Sequence, residues 1–199
     1  IFGKIKNKNI LISNGRFHYY EGWTKNQIES LVYIFYKLGI QKIIITNSAG
    51  SILKKNKPNT ILKIVGYLDF TFTSNKKPSI NYFDRINGKK LSDALDQAFI
   101  NKKVLLKTGI YGWTLGPSYE TPSEIDYLKN MGVHAVGMST VPELQIALKL
   151  KMEPIVISCL TNFAAGINSK AITHKDVINS ASNISNDLFE LINETITIL

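Results

Sequence analysis

TKNQIESLVYIFYKLGIQKIIITNSAG, residues 24–50, is the stretch that decides the fold class. Its first half carries Ile28, Leu31, Val32, Phe35 and Leu38 at three- and four-residue steps, which places them on one stripe of a helix. Gly39 then supplies a left-handed cap. Lys42–Asn47 is a β-branched run too short for a core helix. It predicts a buried strand that breaks at the small residues Ser48-Ala49-Gly50-Ser51. A helix feeding a buried strand is the unit of an α/β sheet with both faces covered.

The alternation extends in both directions. Upstream, Ile10–Ser13 reads as a short strand. Downstream, Thr60–Tyr67 is a strand, Leu91–Asn101 a helix and Val104–Tyr111 a strand. Between them Thr73–Gly88 is an unusually long loop, a candidate for function. Thr121-Pro122-Ser123-Glu124 is a capping box with Pro at the first helical position, so a helix runs to Met131 and stops at Gly132. Thr140-Val141-Pro142-Glu143 repeats that signal after the strand Ala135–Met138. Pro154–Leu160 is a further strand, and Asp176–Ile198 closes the chain as a helix with Val177, Ile184, Leu188 and Leu191 inward. No repeat or linker divides residues 1–199, so one domain is expected.

Composition narrows the function. The chain has 199 residues, 44% hydrophobic and 20% charged, which suits a single core without staples. One cysteine, Cys159, excludes a disulfide scaffold and suits a reducing, cytoplasmic setting. No apolar run reaches the roughly 18–20 residues that span a bilayer, and no signal peptide is recognisable at the start, so no membrane partner is expected. The net charge of +9 falls entirely in residues 1–66. There the lysines, Lys63 among them, are scattered without a nucleic-acid signature, and read as solvated surface rather than a nucleic-acid footprint. His18, His134 and His174 lie far apart and no cysteine pair exists, so no metal site is expected.

Ligands of such sheets bind where strand carboxyl ends meet helix starts, and the polar clusters fall there. Arg16 and His18 offer a guanidinium fork and an imidazole to an anion, although a solvated loop arginine is as common. Ser48 opens a turn whose N–H groups can face an anion, and Ser139 sits near a helix start where phosphate is favoured. Singly, both serines are more often plain turn residues. Glu120 complements a helix dipole or meets a ligand. Tyr19, Tyr20 and Tyr119 flank these loops as rim or stacking aromatics. His134 reads as a structural histidine and Cys159 as a buried small hydrophobe. The residues alone reach an α/β domain that binds a small anionic or polar ligand.

Five segments go further. NGRFHYYEGW (Asn14–Trp23), TNSAG (Thr46–Gly50), GPSYET (Gly116–Thr121), VGMSTVPE (Val136–Glu143) and SCLTNFAAG (Ser158–Gly166) occur in this order. In them the chain resembles the trimeric purine nucleoside phosphorylases over nearly its whole length. The resemblance implies a single phosphorylase-like domain with a mixed central sheet flanked by helices, a homotrimer, and reversible phosphorolysis of purine nucleosides in purine salvage. It implies phosphate binding by Arg16, His18, Ser48 (partly through its backbone N–H) and Ser139, with inorganic phosphate as co-substrate and no cofactor. Tyr20, Met138 and His174 then contact ribose, and Tyr119 packs on the base. Glu120 and Asn162 hydrogen-bond the base edge and, with His18, carry catalysis. A carboxylate and an amide match the N1–H and O6 of a 6-oxopurine. The related methylthioadenosine phosphorylases carry an aspartate at the place of Asn162, so inosine and guanosine are expected over adenosine.

Two departures stand against the resemblance. Compared with the family, the chain lacks the first strand and a glycine-rich phosphate loop, so it is expected to be N-terminally incomplete, with an unprotected sheet edge and a weaker phosphate site. The 67–90 region, from which the family reaches a neighbour's ribose site, is shorter and divergent. The alternatives are therefore a methylthioadenosine-type phosphorylase and a catalytically silent nucleoside-binding remnant.

Overall fold

Thr24 caps the first long helix, its hydroxyl accepting from the Gln27 N–H while the Gln27 side chain returns to the Thr24 N–H. That helix, α1 (Lys25–Lys37), buries Ile28 and Val32, and Gly39 takes a φ of +84° just beyond it. The computed structural model describes residues 1–73, 77–168 and 174–199, without the side chains of 174–179, 181 and 183.

The first two strands, β1 (Phe2–Ile5) and β2 (Lys8–Leu11), form a separate antiparallel ribbon. The strand expected at Ile10–Ser13 thus lies in this ribbon, two residues early, and not in the central sheet. The sheet itself contains β3 (Lys42–Ser51), β4 (Thr60–Asp69), β5 (Ile80–Tyr82), β6 (Thr108–Trp113), β7 (Ala135–Gly137) and β8 (Glu153–Phe163). It is mixed. β3 runs parallel to β8, and β6 parallel to both β4 and β7, whereas β4 is antiparallel to β8 and β5.

Because β4 pairs with β6 on one edge and with β8 on the other, the strands close into a ring, β4-β6-β7-β3-β8. Only Gly50 and Ser51 join β3 to β7. Upstream of them, among the described residues, the edge of β3 facing away from β8 has no strand neighbour. The expected open edge is there.

Helices cover the ring. α4 (Val141–Lys149) packs beside α1 over a core that includes Val32, Ile45, Leu144 and Val156. On another side α2 (Lys90–Asn101) and α5 (His174–Ile198) meet over Leu95, Phe99, Ile157, Ile184 and Leu191. α3 (Pro122–Asn130) seals a third cluster through Ile125 and Leu128, its start capped by the predicted box of Thr121 and Glu124.

Three local readings change. Ser48–Ser51 does not break the strand but continues β3, because β8 carries the ladder on to Phe163, with a register shift between Ala49 and Gly50. The 73–88 stretch contains β5 and seats Phe83 in the core, so it is not an empty loop. Lys63 is not surface charge. It is 2% exposed, and its ammonium donates to Ser92 Oγ and Asp96 Oδ1, both at 2.6 Å, which ties β4 to α2. A buried ammonium is tolerated only with such partners.

Candidate active site

The residues expected at phosphate converge from three elements. Arg16 lies on the loop after β2, and its guanidinium donates to Ser139 Oγ (3.1 Å), Thr140 Oγ1 (2.9 Å) and the Thr46 carbonyl. Ser139 and Thr140 stand at the start of α4, where unpaired N–H groups favour an anion. Ser48 reaches the same space from β3. Gln41 O accepts from the β8 residue Glu153, whereas Thr46 O turns to Arg16. By strand alternation the even-numbered amides, that of Ser48 included, therefore face the open side. Ser48 presents its N–H from a strand edge and not from a turn.

His18 completes this side. Its Nδ1 lies 3.1 Å from Glu21 Oε1, and its ring stacks on Tyr20 at 4.8 Å. With Glu21 accepting at Nδ1, the proton sits there and Nε2 is left for a ligand. Glu21 also takes the His18 backbone N–H, which together with the imidazole holds its carboxyl below the usual range.

The expected second capping box is absent. Thr140 caps no N–H with its side chain, has a φ of +78° and is 2% exposed. Its hydroxyl serves Arg16 and Asn47 Nδ2 instead. Glu143, read from sequence as the box's carboxylate, turns inward so that Oε2 lies 3.4 Å from Arg16 Nη1. Burial raises its carboxyl pKa, while Arg16 pulls it back. A β-branched residue at positive φ costs of order 1–3 kcal/mol and persists only where its surroundings hold it. Here Arg16, Asn47 and Ser139 hold the hydroxyl.

The residues expected at the base stand on the loop after β6 and at the end of β8. Glu120 precedes the α3 cap, and its Oε1 accepts from Thr114 Oγ1 at 2.6 Å. Asn162 is pinned at both ends of its amide: Oδ1 accepts from Thr161 Oγ1 and Nδ2 donates to the Phe163 carbonyl, each at 3.0 Å. One amide hydrogen remains for a ligand. Gly50 leaves it room, since a Cβ there would come within 3.2 Å of Nδ2. Gly116, at φ +70°, brings the GPSYE loop so close to Met138 that a Cβ there would press on its thioether and lie tight against the Tyr20 ring. Tyr119 is 46% exposed at the rim.

Arg16, His18, Tyr20, Ser48, Tyr119, Glu120, Met138, Ser139 and Asn162 line one cavity of about 1310 Å³. His174 begins α5, but its side chain lies outside the described residues. The cavity continues away from this polar end between β2, α5 and the open edge of β3, over Ile10, Ile12, Phe35, Ile43 and Phe189. That extension takes it beyond the roughly 300–1,000 Å³ usual for ligand pockets. Among the described residues no His, Cys, Asp and Glu group could hold a metal ion, and no helix is long and apolar enough to cross a membrane.

Sequence reading missed Glu21, Asn47, Tyr111, Thr114 and Glu143. Tyr111 is fully buried, its phenol is pushed up to about 12 by burial, and it accepts a long 3.4 Å hydrogen bond from the Ser139 N–H. Two bland readings stand. His134 Nδ1 accepts from the Ile110 N–H, with burial lowering the ring's pKa, and Cys159 is buried with its thiol raised to about 11.

Comparison with known proteins identifies the family. The family model described as the phosphorylase superfamily matches residues 1–197. Purine nucleoside phosphorylase 1 of Geobacillus stearothermophilus is 30% identical over 204 residues, covering 96% of this chain and 73% of its own. A probable S-methyl-5'-thioinosine phosphorylase of Methanothermobacter thermautotrophicus is 29% identical, over 80% of this chain and 58% of its own. Isoform 2 of the Schistosoma mansoni purine nucleoside phosphorylase, solved with cytosine and ribose-1-phosphate, superposes with a TM-score of 0.86 at 27% identity, covering 98% of this chain and 74% of that one. The chain belongs to the phosphorylase superfamily, on its purine nucleoside phosphorylase branch, whose members are pentosyltransferases.

Proposed function

We propose that the protein catalyses reversible phosphorolysis of 6-oxopurine nucleosides, inosine and guanosine ahead of adenosine. The observation that carries this reading is the single cavity shared by an anion-facing group, Arg16, His18 and Ser139, and a base-facing pair, Glu120 and Asn162. A phosphate oxygen bonds to the ribose C1′ while the C1′–N9 bond breaks. The electron pair passes to the purine, which takes up a proton, and the products are free base and ribose 1-phosphate.

Arg16, His18, Ser139 and the outward N–H of Ser48 hold phosphate, the co-substrate, and no cofactor is required. Tyr20, Met138 and His174 contact ribose, and Tyr119 covers the base. Glu120 accepts from N1–H, and the free hydrogen of Asn162 supports the charge that develops at the N7/O6 edge. Such preorganised partners count most in a site shielded from water, where losing one costs about 10²–10³ in rate. A homotrimer acting in purine salvage in the cytoplasm completes the proposal, with light scattering as the check on assembly.

The test is base release from inosine, guanosine, adenosine and their 5′-methylthio counterparts, with and without phosphate. Phosphate-dependent release of hypoxanthine with ribose 1-phosphate is expected. Inosine binding without release would identify a silent binder and overturn the proposal. The name of the archaeal relative motivates a second reading, in which the same base is held and a 5′-methylthio group is preferred. Faster turnover of methylthioinosine than of inosine would select it.

A further inference from the structure

Thr114 carries no motif, yet it makes the shortest contact to the base-side carboxylate. It follows β6, where its N–H donates to the Gly137 carbonyl at 3.0 Å, and it is 8% exposed. Its hydroxyl has one hydrogen and two acceptors in reach, Glu120 Oε1 at 2.6 Å and Gly137 O at 3.4 Å. The shorter contact takes the hydrogen. Among the described residues, Glu120 Oε2 receives no hydrogen bond and stays available to a ligand.

We infer that Thr114 is a positioning and specificity residue, which fixes Glu120 through Oε1 with Oε2 free to accept and so selects bases that offer an N–H at this edge. The inference rests on the base-side role given to Glu120 above. The hydroxyl occupies Oε1, fixes the carboxylate and leaves Oε2 to accept from a ligand. An acceptor at this place suits the N1–H of a 6-oxopurine and opposes the bare, accepting N1 of adenine. Thr114 acts through Glu120 and touches no reacting atom.

The experiment compares T114V, which keeps the shape and loses the hydroxyl, with T114S, which keeps the hydroxyl. Both are assayed in the full chain for phosphorolysis of inosine and adenosine from about pH 5 to 9. A hydrogen bond to a charged group is worth a factor of about ten or more. T114V should lose about tenfold in kcat/KM for inosine and lower the inosine-to-adenosine ratio. Its KM for phosphate should hold within about twofold. T114S should rescue all of these.

Equal losses in T114V and T114S would overturn the inference, as would a T114V whose substrate ratio matches the wild type. If T114V does not fold, T114A takes its place. If the wild type turns over no nucleoside, the functional proposal fails by itself. Calorimetry with hypoxanthine then still reads Thr114: weaker binding by T114V and not by T114S supports the role, and no wild-type binding refutes it.

Discussion

Replacing Arg16 by Met removes the one cation at salt-bridge distance from the buried Glu143 carboxylate among the described residues, and leaves that charge behind. Removing one partner of a buried pair costs about 3–5 kcal/mol. The Arg16 side chain keeps 19% of its surface and that of Glu143 only 7%, so the lower end, about 3 kcal/mol, applies. For a chain of this length that is about 6–12 °C in Tm. The loss should depend on pH. Burial already raises the Glu143 carboxyl above its ordinary range, and without Arg16 it rises further.

The folded state then binds the proton more tightly than the unfolded one, so stability falls as pH rises from the unfolded carboxylate range through the raised folded value, and is level above it. R16M should therefore be nearer the wild type at about pH 5 than at about pH 8. Adding E143Q should restore most of the loss, because an amide needs no counter-charge. Urea melts of the wild type, R16M, E143Q and the double variant at both pH values form the cycle. Single losses that add to within about 0.5 kcal/mol, or an R16M deficit equal at both pH values, would show that the pair is not coupled as drawn.

The remaining predictions concern specificity and the open sheet edge. N162D should move substrate preference from inosine toward adenosine, read from the ratio of kcat/KM values, and an unchanged ratio would remove Asn162 from the base edge. In the isolated chain, hydrogen exchange should be fast at the amides of Ile44, Thr46 and Ser48 and slow at Ile43 and Ile45, whose neighbours on β8 are paired. Uniform protection along β3 would mean that its outer edge is covered.

What the sequence made legible is what local physics controls. The stripe from Ile28 to Phe35, the box at Thr121 and the stop at Gly132 depend on residues three or four apart, and they stand where expected, whereas Leu38 falls at the helix end and is exposed. Ring closure was hidden, because the antiparallel pairing of β4 with β8 joins residues about a hundred apart with no local mark. Lys63 was misread for the same reason: its partners Ser92 and Asp96 come from α2. The sequence Thr140-Val141-Pro142-Glu143 does begin a helix, yet Arg16 outcompetes the helix for both polar side chains. A local rule failed where a distant charge offered stronger partners.

That competition also ranks the two halves of the site. On the base side, Glu120 and Asn162 are held by Thr114, Thr161 and Phe163, groups on or beside their own elements, so the arrangement forms as soon as β6, α3 and β8 pack. The phosphate side depends on Arg16, which arrives from a loop outside the sheet and is anchored at Thr46 O on the unpaired edge of β3. An anchor on an exposed edge opens at lower free energy than one inside the ladder. Disturbance of the β1–β2 ribbon should therefore reach phosphate before it reaches the base. A variant that loosens the ribbon, such as I10A, should raise the KM for phosphate while leaving hypoxanthine affinity near that of the wild type. Equal weakening of both would mean that the two sides form as one unit.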